Sequence, residues 1–307
     1  MTIRAFFKLV EIRTKSASLL PYLAGTLYAV YRYDSFQGRH ALLMLLSLLS
    51  IDLATTALNS LSGGATAHST FYHEGTKYSK SSVQRLIALL LLIGITSGGF
   101  LAARTGPVVW AAGVLAFIAG LMYSGGPLPI MRTPLGEIVS GLFMGYGIFF
   151  LACFIHLDGE VFQVYTFGGR LMADINLRFL GSMLVLGTPF ASAIANVMLA
   201  NNISDKDQDA AIGRFTLPVL LGRSRALILF NLIYIAGFLA VILGAALRQL
   251  PLTALFMIFP YGLVMVNARR FSMAPDKGKT FPLVVRNLGL IGGGIILVIS
   301  SGLLFTL

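Results

Sequence analysis

The sequence predicts an all-α, polytopic membrane bundle of about nine transmembrane helices, and three observations predict it. Of the 307 residues, 56% are hydrophobic and 11% charged, against roughly 25% charged in soluble domains. Nine apolar segments recur along nearly the whole chain, each approaching the about 20 residues that cross a bilayer as a helix. The 23 lysines and arginines collect in alternate connections between those segments, the bias that orients membrane helices.

In order, the segments are 16–33, 41–59, 86–103, 108–123, 138–155, 180–199, 226–246, 252–266 and 288–304. The first and eighth are short, a length that tilt and neighbouring helices accommodate. Glycines inside the spans, among them Gly94, Gly141, Gly145 and Gly292, permit close helix packing. Because the apolar segments run on without a soluble stretch between them, a single integral membrane domain over residues 1–307 is expected. Ahead of the first span, Arg4, Lys8, Glu11, Arg13 and Lys15 alternate with Phe6, Phe7, Leu9, Val10 and Ile12. No uninterrupted signal-peptide core is present there, and the pattern fits either an interfacial amphipathic helix or a solvated leader.

Orientation follows from the bases. Counting the N-terminus and the loops after spans two, four, six and eight, 17 lysines and arginines fall on one side and 6 on the other. The N-terminus and those loops are therefore expected in the cytoplasm. The net charge of +11 does not imply a nucleic-acid partner, because the bases sit between apolar stretches and not on one soluble basic face. The single cysteine, Cys153, lies in an apolar segment, which excludes an internal disulfide and a cysteine zinc cluster.

The densest polar chemistry begins where span six ends, with Asn196 and then Asn201-Asn202-Ile203-Ser204-Asp205-Lys206-Asp207-Gln208-Asp209. If the helix continues, Asn201, Asp205 and Asp209 share one face at four-residue spacing. Such a pair of carboxylates suits Mg²⁺, which takes one or two carboxylates and completes its shell with water and phosphate oxygens. The other reading is a solvated acidic run neutralised by Lys206 and Arg214. A calcium-binding EF-hand is excluded, since its glycine position is Ala210 and its bidentate glutamate position is Thr216.

The run from Asn201 to Asp209, with Gly213-Arg214-Phe215-Thr216-Leu217-Pro218 after it, resembles the second aspartate motif of the UbiA-type membrane prenyltransferase superfamily. Tyr123-Ser124-Gly125-Gly126-Pro127-Leu128-Pro129-Ile130 and Pro134-Leu135-Gly136-Glu137 resemble the segment between that family's fourth and fifth helices. The pattern is most similar to the 1,4-dihydroxy-2-naphthoate branch, which makes menaquinone precursors. The resemblance implies a nine-helix fold with an acidic cytoplasmic mouth in a bacterial cell membrane. It also implies Mg²⁺ as cofactor, and a prenyl diphosphate and an aromatic acceptor as reactants. On it, Asp205 and Asp209 are the expected catalytic and metal-binding residues, while Asn59, Asn201, Asn202 and Arg214 are the expected substrate-binding residues. Lys77, Lys80, Arg132 and Arg223 share the predicted side and offer further cations to phosphate.

One departure stands out. The family's first motif, Asn-Asp-x-x-Asp-x-x-x-Asp, falls on Asn59-Ser60-Leu61-Ser62-Gly63-Gly64-Ala65-Thr66-Ala67, where the asparagine alone survives. His68, His73 and Glu74 follow, but histidine suits Mg²⁺ poorly. Asp52, two helical turns before Asn59, is an intramembrane carboxylate that calls for a buried partner. Two rivals to the enzyme therefore stand: a homologue that binds isoprenoid or quinone without turnover, and a transporter, for which no inverted repeat is visible.

Overall fold

The computed structural model describes residues 2–63, 70–73, 76–124, 129–157 and 161–306. A short helix, α1 (Ile3–Leu9), opens the chain, its N-terminus capped by Thr2, whose hydroxyl accepts from the Ala5 amide at 3.2 Å. The helices α2 (Ser16–Tyr33), α3 (Gly38–Gly63), α4 (Lys80–Thr105), α5 (Pro107–Ser124), α6 (Gly136–Phe154) and α7 (Leu177–Ala211) follow. After the short α8 (Leu217–Leu221) come α9 (Arg223–Ala246), α10 (Leu252–Met273) and α11 (Phe281–Thr306).

Among the described residues, seven helices are long and apolar enough to cross a membrane: α3, α4, α6, α7, α9, α10 and α11. The expected nine is not reached on length and composition. The apolar part of α5, Pro107–Tyr123, is short. Tyr22, Tyr28, Tyr31, Arg32 and Tyr33 make the 18-residue α2 too polar to qualify.

Two antiparallel hairpins add to the all-α bundle in its connections. Strands β1 (Thr70–His73) and β2 (Thr76–Ser79) precede α4, and β3 (Phe162–Phe167) and β4 (Arg170–Ile175) precede α7. The second hairpin turns on Gly168 and Gly169, at φ 57° and 76°, the doubly left-handed turn whose twist matches the strands it joins.

The chain forms two compact units. Unit 1 holds residues 1–18 and 38–120. Its core gathers Leu9 and Val10 with Ala54 and Ala57 of α3, Tyr78 of β2, and Val83 and Ile87 of α4. The Tyr78 hydroxyl donates to the Ala5 carbonyl at 2.9 Å. The leader is thus helical and packed inward on one face, while Ile3, Phe7 and Ile12 stay exposed. Between α3 and α4 the approach is close: a Cβ on Gly94 would lie 2.6 Å from Ile51 Cγ1, and Ser47 Oγ donates to the Gly94 carbonyl at 2.8 Å.

Asp52 has the buried partners its position demands. Lys15 Nζ lies 2.6 Å from its Oδ1 and 2.6 Å from Thr56 Oγ1, and Ser18 Oγ donates to its Oδ2. All of its visible bonding is structural.

Unit 2 holds residues 19–37 and 121–307. Here α6 lies against α7 so tightly that a Cβ on Gly145 would collide with the Ala191 backbone, and one on Gly141 would stand 3.0 Å from the Ala191 carbonyl oxygen. This stretch of α6, Gly141–Gly147, is wound as a π-helix, a form concentrated near functional sites. Buried amides tie the other helices: Asn196 of α7 donates to the Phe230 carbonyl of α9 at 3.0 Å, and Asn267 of α10 donates to Asn287 of α11 at 2.8 Å. Such bonds contribute about 1 kcal/mol each in a membrane.

Candidate active site

The helix α7 runs unbroken through Asn201, Asn202, Asp205 and Asp209 to Ala211, so the two carboxylates stand one turn apart on the same face. Past its end, Gly213 at φ 71° reverses the chain, a conformation that costs glycine little. The reversal returns Arg214 over the helix: its amide donates to the Asp209 carbonyl at 2.9 Å, and its Nη1 lies 3.1 Å from Asp209 Oδ1. Thr216 Oγ1 reaches Asp209 Oδ2 at 3.4 Å. The Asp209 side chain is 4% exposed and that of Arg214 30%.

Asp205 has a different setting. Its Oδ2 accepts from Lys277 Nζ, with the carboxylate 16% and the lysine 55% exposed. Lys277 is presented by a self-bonded turn after α10, in which Asp276 Oδ1 accepts from the amides of Gly278 at 2.9 Å and Lys279 at 2.6 Å. Asp207, exposed, pairs with Lys206 at 3.3 Å and Arg223 at 3.1 Å. Exposed pairs of that kind contribute little to stability.

Deeper in the same end, Asn202 Nδ2 donates to Glu137 Oε1 at 2.9 Å, and both residues are buried. Glu137 lies in the first turn of α6, where a carboxylate is favoured by the helix dipole. The Phe215 amide donates to the Arg132 carbonyl at 3.0 Å. Close by, Ser140 Oγ donates to the Tyr123 hydroxyl at 3.3 Å. The connections after α5, α7 and α10 thus meet at one end of unit 2.

Among the expected site residues, Asn202, Asp205, Asp209 and Arg214 come together here, with Asn201 half-buried beside them. Asn196, read with the same run, is a helix tie to α9. Asn59 is exposed near the end of α3 in unit 1, the unit that also carries Lys77 on β2 and Lys80 at the start of α4. Ser60, where the first motif calls for a carboxylate, spends its hydroxyl on the carbonyls of Leu9 and Thr56, both at 3.1 Å. Residues 64–69, with Ala67 and His68, lie outside the described residues, as do Glu74 and 125–128. His73 Nε2 stands 4.0 Å from Glu11 Oε1.

Lys277 and Glu137 contact residues of this end of α7, and sequence reasoning did not assign them. A signal existed for Glu137, an acid opening an apolar span. For Lys277 there was only its place on the expected side.

The donor set suits a hard cation shared with a phosphate ligand. Among the described residues no group of three or more His, Cys, Asp or Glu side chains forms a protein-only metal cage. Mg²⁺ does not need one, since one or two carboxylates suffice when phosphate oxygens and water complete the shell. Asp205 and Asp209 could supply the carboxylates, and Lys277 and Arg214, paired with them, are of the type that donates to a polyanion.

Comparison with known proteins gives the family and the fold. The model of the UbiA prenyltransferase family matches residues 75–289. A 1,4-dihydroxy-2-naphthoate octaprenyltransferase from Bacillus subtilis is 30% identical over 253 residues, which cover 78% of this chain and 74% of that protein. The apo structure of a UbiA homolog from Aeropyrum pernix K1 superposes with a TM-score of 0.66 at 20% identity, covering 94% of this chain and 98% of the other. A UbiA homolog from Archaeoglobus fulgidus bound to DMAPP and Mg²⁺ gives a TM-score of 0.62 at 14% identity, covering 97% and 98%. These two structures show likeness of fold. On the match across most of its length and on the identity to its bacterial relative, the chain belongs to the UbiA prenyltransferase family.

Proposed function

We propose that this protein transfers a polyprenyl chain from a prenyl diphosphate to 1,4-dihydroxy-2-naphthoate, as a step toward menaquinone. It does so as one integral membrane domain over residues 1–307, with its N-terminus in the cytoplasm of a bacterial cell. The observation that carries this reading is the acidic end of α7, where each motif carboxylate stands beside its own cation: Asp205 with Lys277, and Asp209 with Arg214. The named activity of the relative that is 30% identical supports the choice of acceptor.

In the reaction the bond between the allylic carbon and the diphosphate oxygen breaks, the ring carbon bonds to the allylic carbon, and the ring's carboxyl group leaves as carbon dioxide. Asp205 and Asp209 would hold Mg²⁺, whose charge would stabilise a leaving diphosphate. Arg214 and Lys277 turn part of their hydrogen bonding from carboxylate to phosphate oxygens, which strengthens as the leaving group gains charge. Asn201 offers an amide donor and acceptor to the same headgroup, and the prenyl tail lies among apolar helices.

A test incubates the purified protein in detergent with Mg²⁺, an allylic prenyl diphosphate and either 1,4-dihydroxy-2-naphthoate or a hydroxybenzoate, and detects product by mass. The expected product from the naphthoate carries the prenyl chain and lacks the carboxyl group. Product from the hydroxybenzoate alone would refute this choice of acceptor.

The commitment of Ser60 to Leu9 and Thr56 favours a second reading, a homologue that binds isoprenoid or quinone without turnover. On that reading lipid binding persists and neither acceptor yields product.

A further inference from the structure

A buried polar contact one turn deeper than the acidic site has no role in the chemistry above. Glu137 is 2% exposed and Asn202 6%. Asn202 Nδ2 donates to Glu137 Oε1 at 2.9 Å, while Glu137 Oε2 finds no hydrogen-bond partner among the described residues. A buried carboxyl group with so few hydrogen bonds is costly compared with an apolar side chain of similar size. Close packing of α6 on α7 does not require it, because Gly141 and Gly145 already lie against Ala191.

What the contact fixes is rotation. Asn202 precedes Asp205 by three residues and Asp209 by seven on one unbroken helix, spacings that keep all three near one face. Holding the Asn202 amide therefore sets the direction in which both carboxylates project. The same leader of α6 is tied a second time, since the Arg132 carbonyl accepts from the Phe215 amide at 3.0 Å, next to Arg214.

We propose that Glu137 is a positioning residue which, through Asn202, sets the rotation of the last turns of α7 so that Asp205 and Asp209 meet the diphosphate and its metal. The inference rests on the reading of this end of α7 as the diphosphate site.

The test uses the full chain in detergent with Glu137→Leu, Asn202→Ala, the double variant, and Glu137→Gln, whose amide oxygen still accepts from Asn202. Two quantities are read: hydrogen exchange of the amides in 201–211, and Mg²⁺-dependent binding of an unreactive prenyl thiolodiphosphate. Glu137→Leu and Asn202→Ala are each expected to speed exchange and to weaken binding by about tenfold, with no further loss in the double variant, as residues acting through one shared bond behave. Glu137→Gln is expected within about threefold of the unaltered protein in both readouts, because the accepting oxygen is kept. If Glu137→Leu does not fold, Asn202→Ala removes the same bond from the other side. Unchanged exchange in the folded variants overturns the positioning role, whatever the ligand. Faster exchange together with no thiolodiphosphate binding by the unaltered protein overturns the diphosphate reading, and with it the purpose assigned to the contact.

Discussion

At the scale of single residues, the site is a set of exchanges between carboxylates and cations. Arg214 and Lys277 reach the two motif carboxylates from very different distances in sequence: Arg214 lies five residues past Asp209, and Lys277 lies 72 past Asp205. Replacing either by alanine is expected to raise KM for prenyl diphosphate by about tenfold or more while KM for the acceptor holds, since each removes a charge-assisted bond to phosphate. Steady-state kinetics with each substrate varied in turn would show it, and equal changes in both constants would contradict it. Lys15 and Asp52 make a contrasting pair, buried and structural. Lys15→Met strands the carboxylate and should cost about 3 kcal/mol. Thermal unfolding in detergent should show most of that loss recovered in Lys15→Met/Asp52→Leu. A double variant no more stable than the single one would indicate that the charge pair is not what matters. The shared face of Asp205 and Asp209 was legible in the sequence from their four-residue spacing, whereas Arg214 was singled out by the family resemblance. Glu137 and Lys277 were not legible, because they meet their partners across 65 and 72 residues, and a distance of that kind is written in the packing of helices, not in local pattern.

At the scale of elements, the spans were legible because twenty apolar residues have few other fates. Neither hairpin is among the expected elements, although Gly168-Gly169 between two segments rich in strand-forming residues is a recognised turn signal. The glycines of α6 were legible as packing residues, but their partner, Ala191, was not. Gly145→Leu would drive a side chain into the α7 backbone and is expected to cost about 2 kcal/mol or more, as overpacking does. Its unfolding temperature in detergent should fall by several degrees. Gly181→Leu, at a position of α7 with nothing within 4 Å of the added Cβ, should leave the temperature almost unchanged. If the two variants behave alike, the close approach is not what Gly145 serves.

At the scale of the whole molecule, charge asymmetry sets the expected orientation. A membrane-impermeant maleimide applied to intact cells should label Arg170→Cys, on the β3–β4 hairpin, and leave Lys279→Cys unlabelled until the cells are opened. The reverse pattern would invert the topology and move the acidic end of α7 outside. Cys153 is buried and should stay silent in both. On the proposed function, the acidic end of α7 carries turnover even though Ser60 stands where a first-motif carboxylate is expected. The most direct measurement compares prenyl transfer by the unaltered protein and by Asp205→Asn, with the same helicity and thermal stability verified for both. Mg²⁺-dependent product is expected from the unaltered protein, with a loss of about a hundredfold or more in the variant, as on removal of a group that stabilises developing charge. Equal activity in the two proteins, or product that forms as readily after chelation of Mg²⁺, would contradict it.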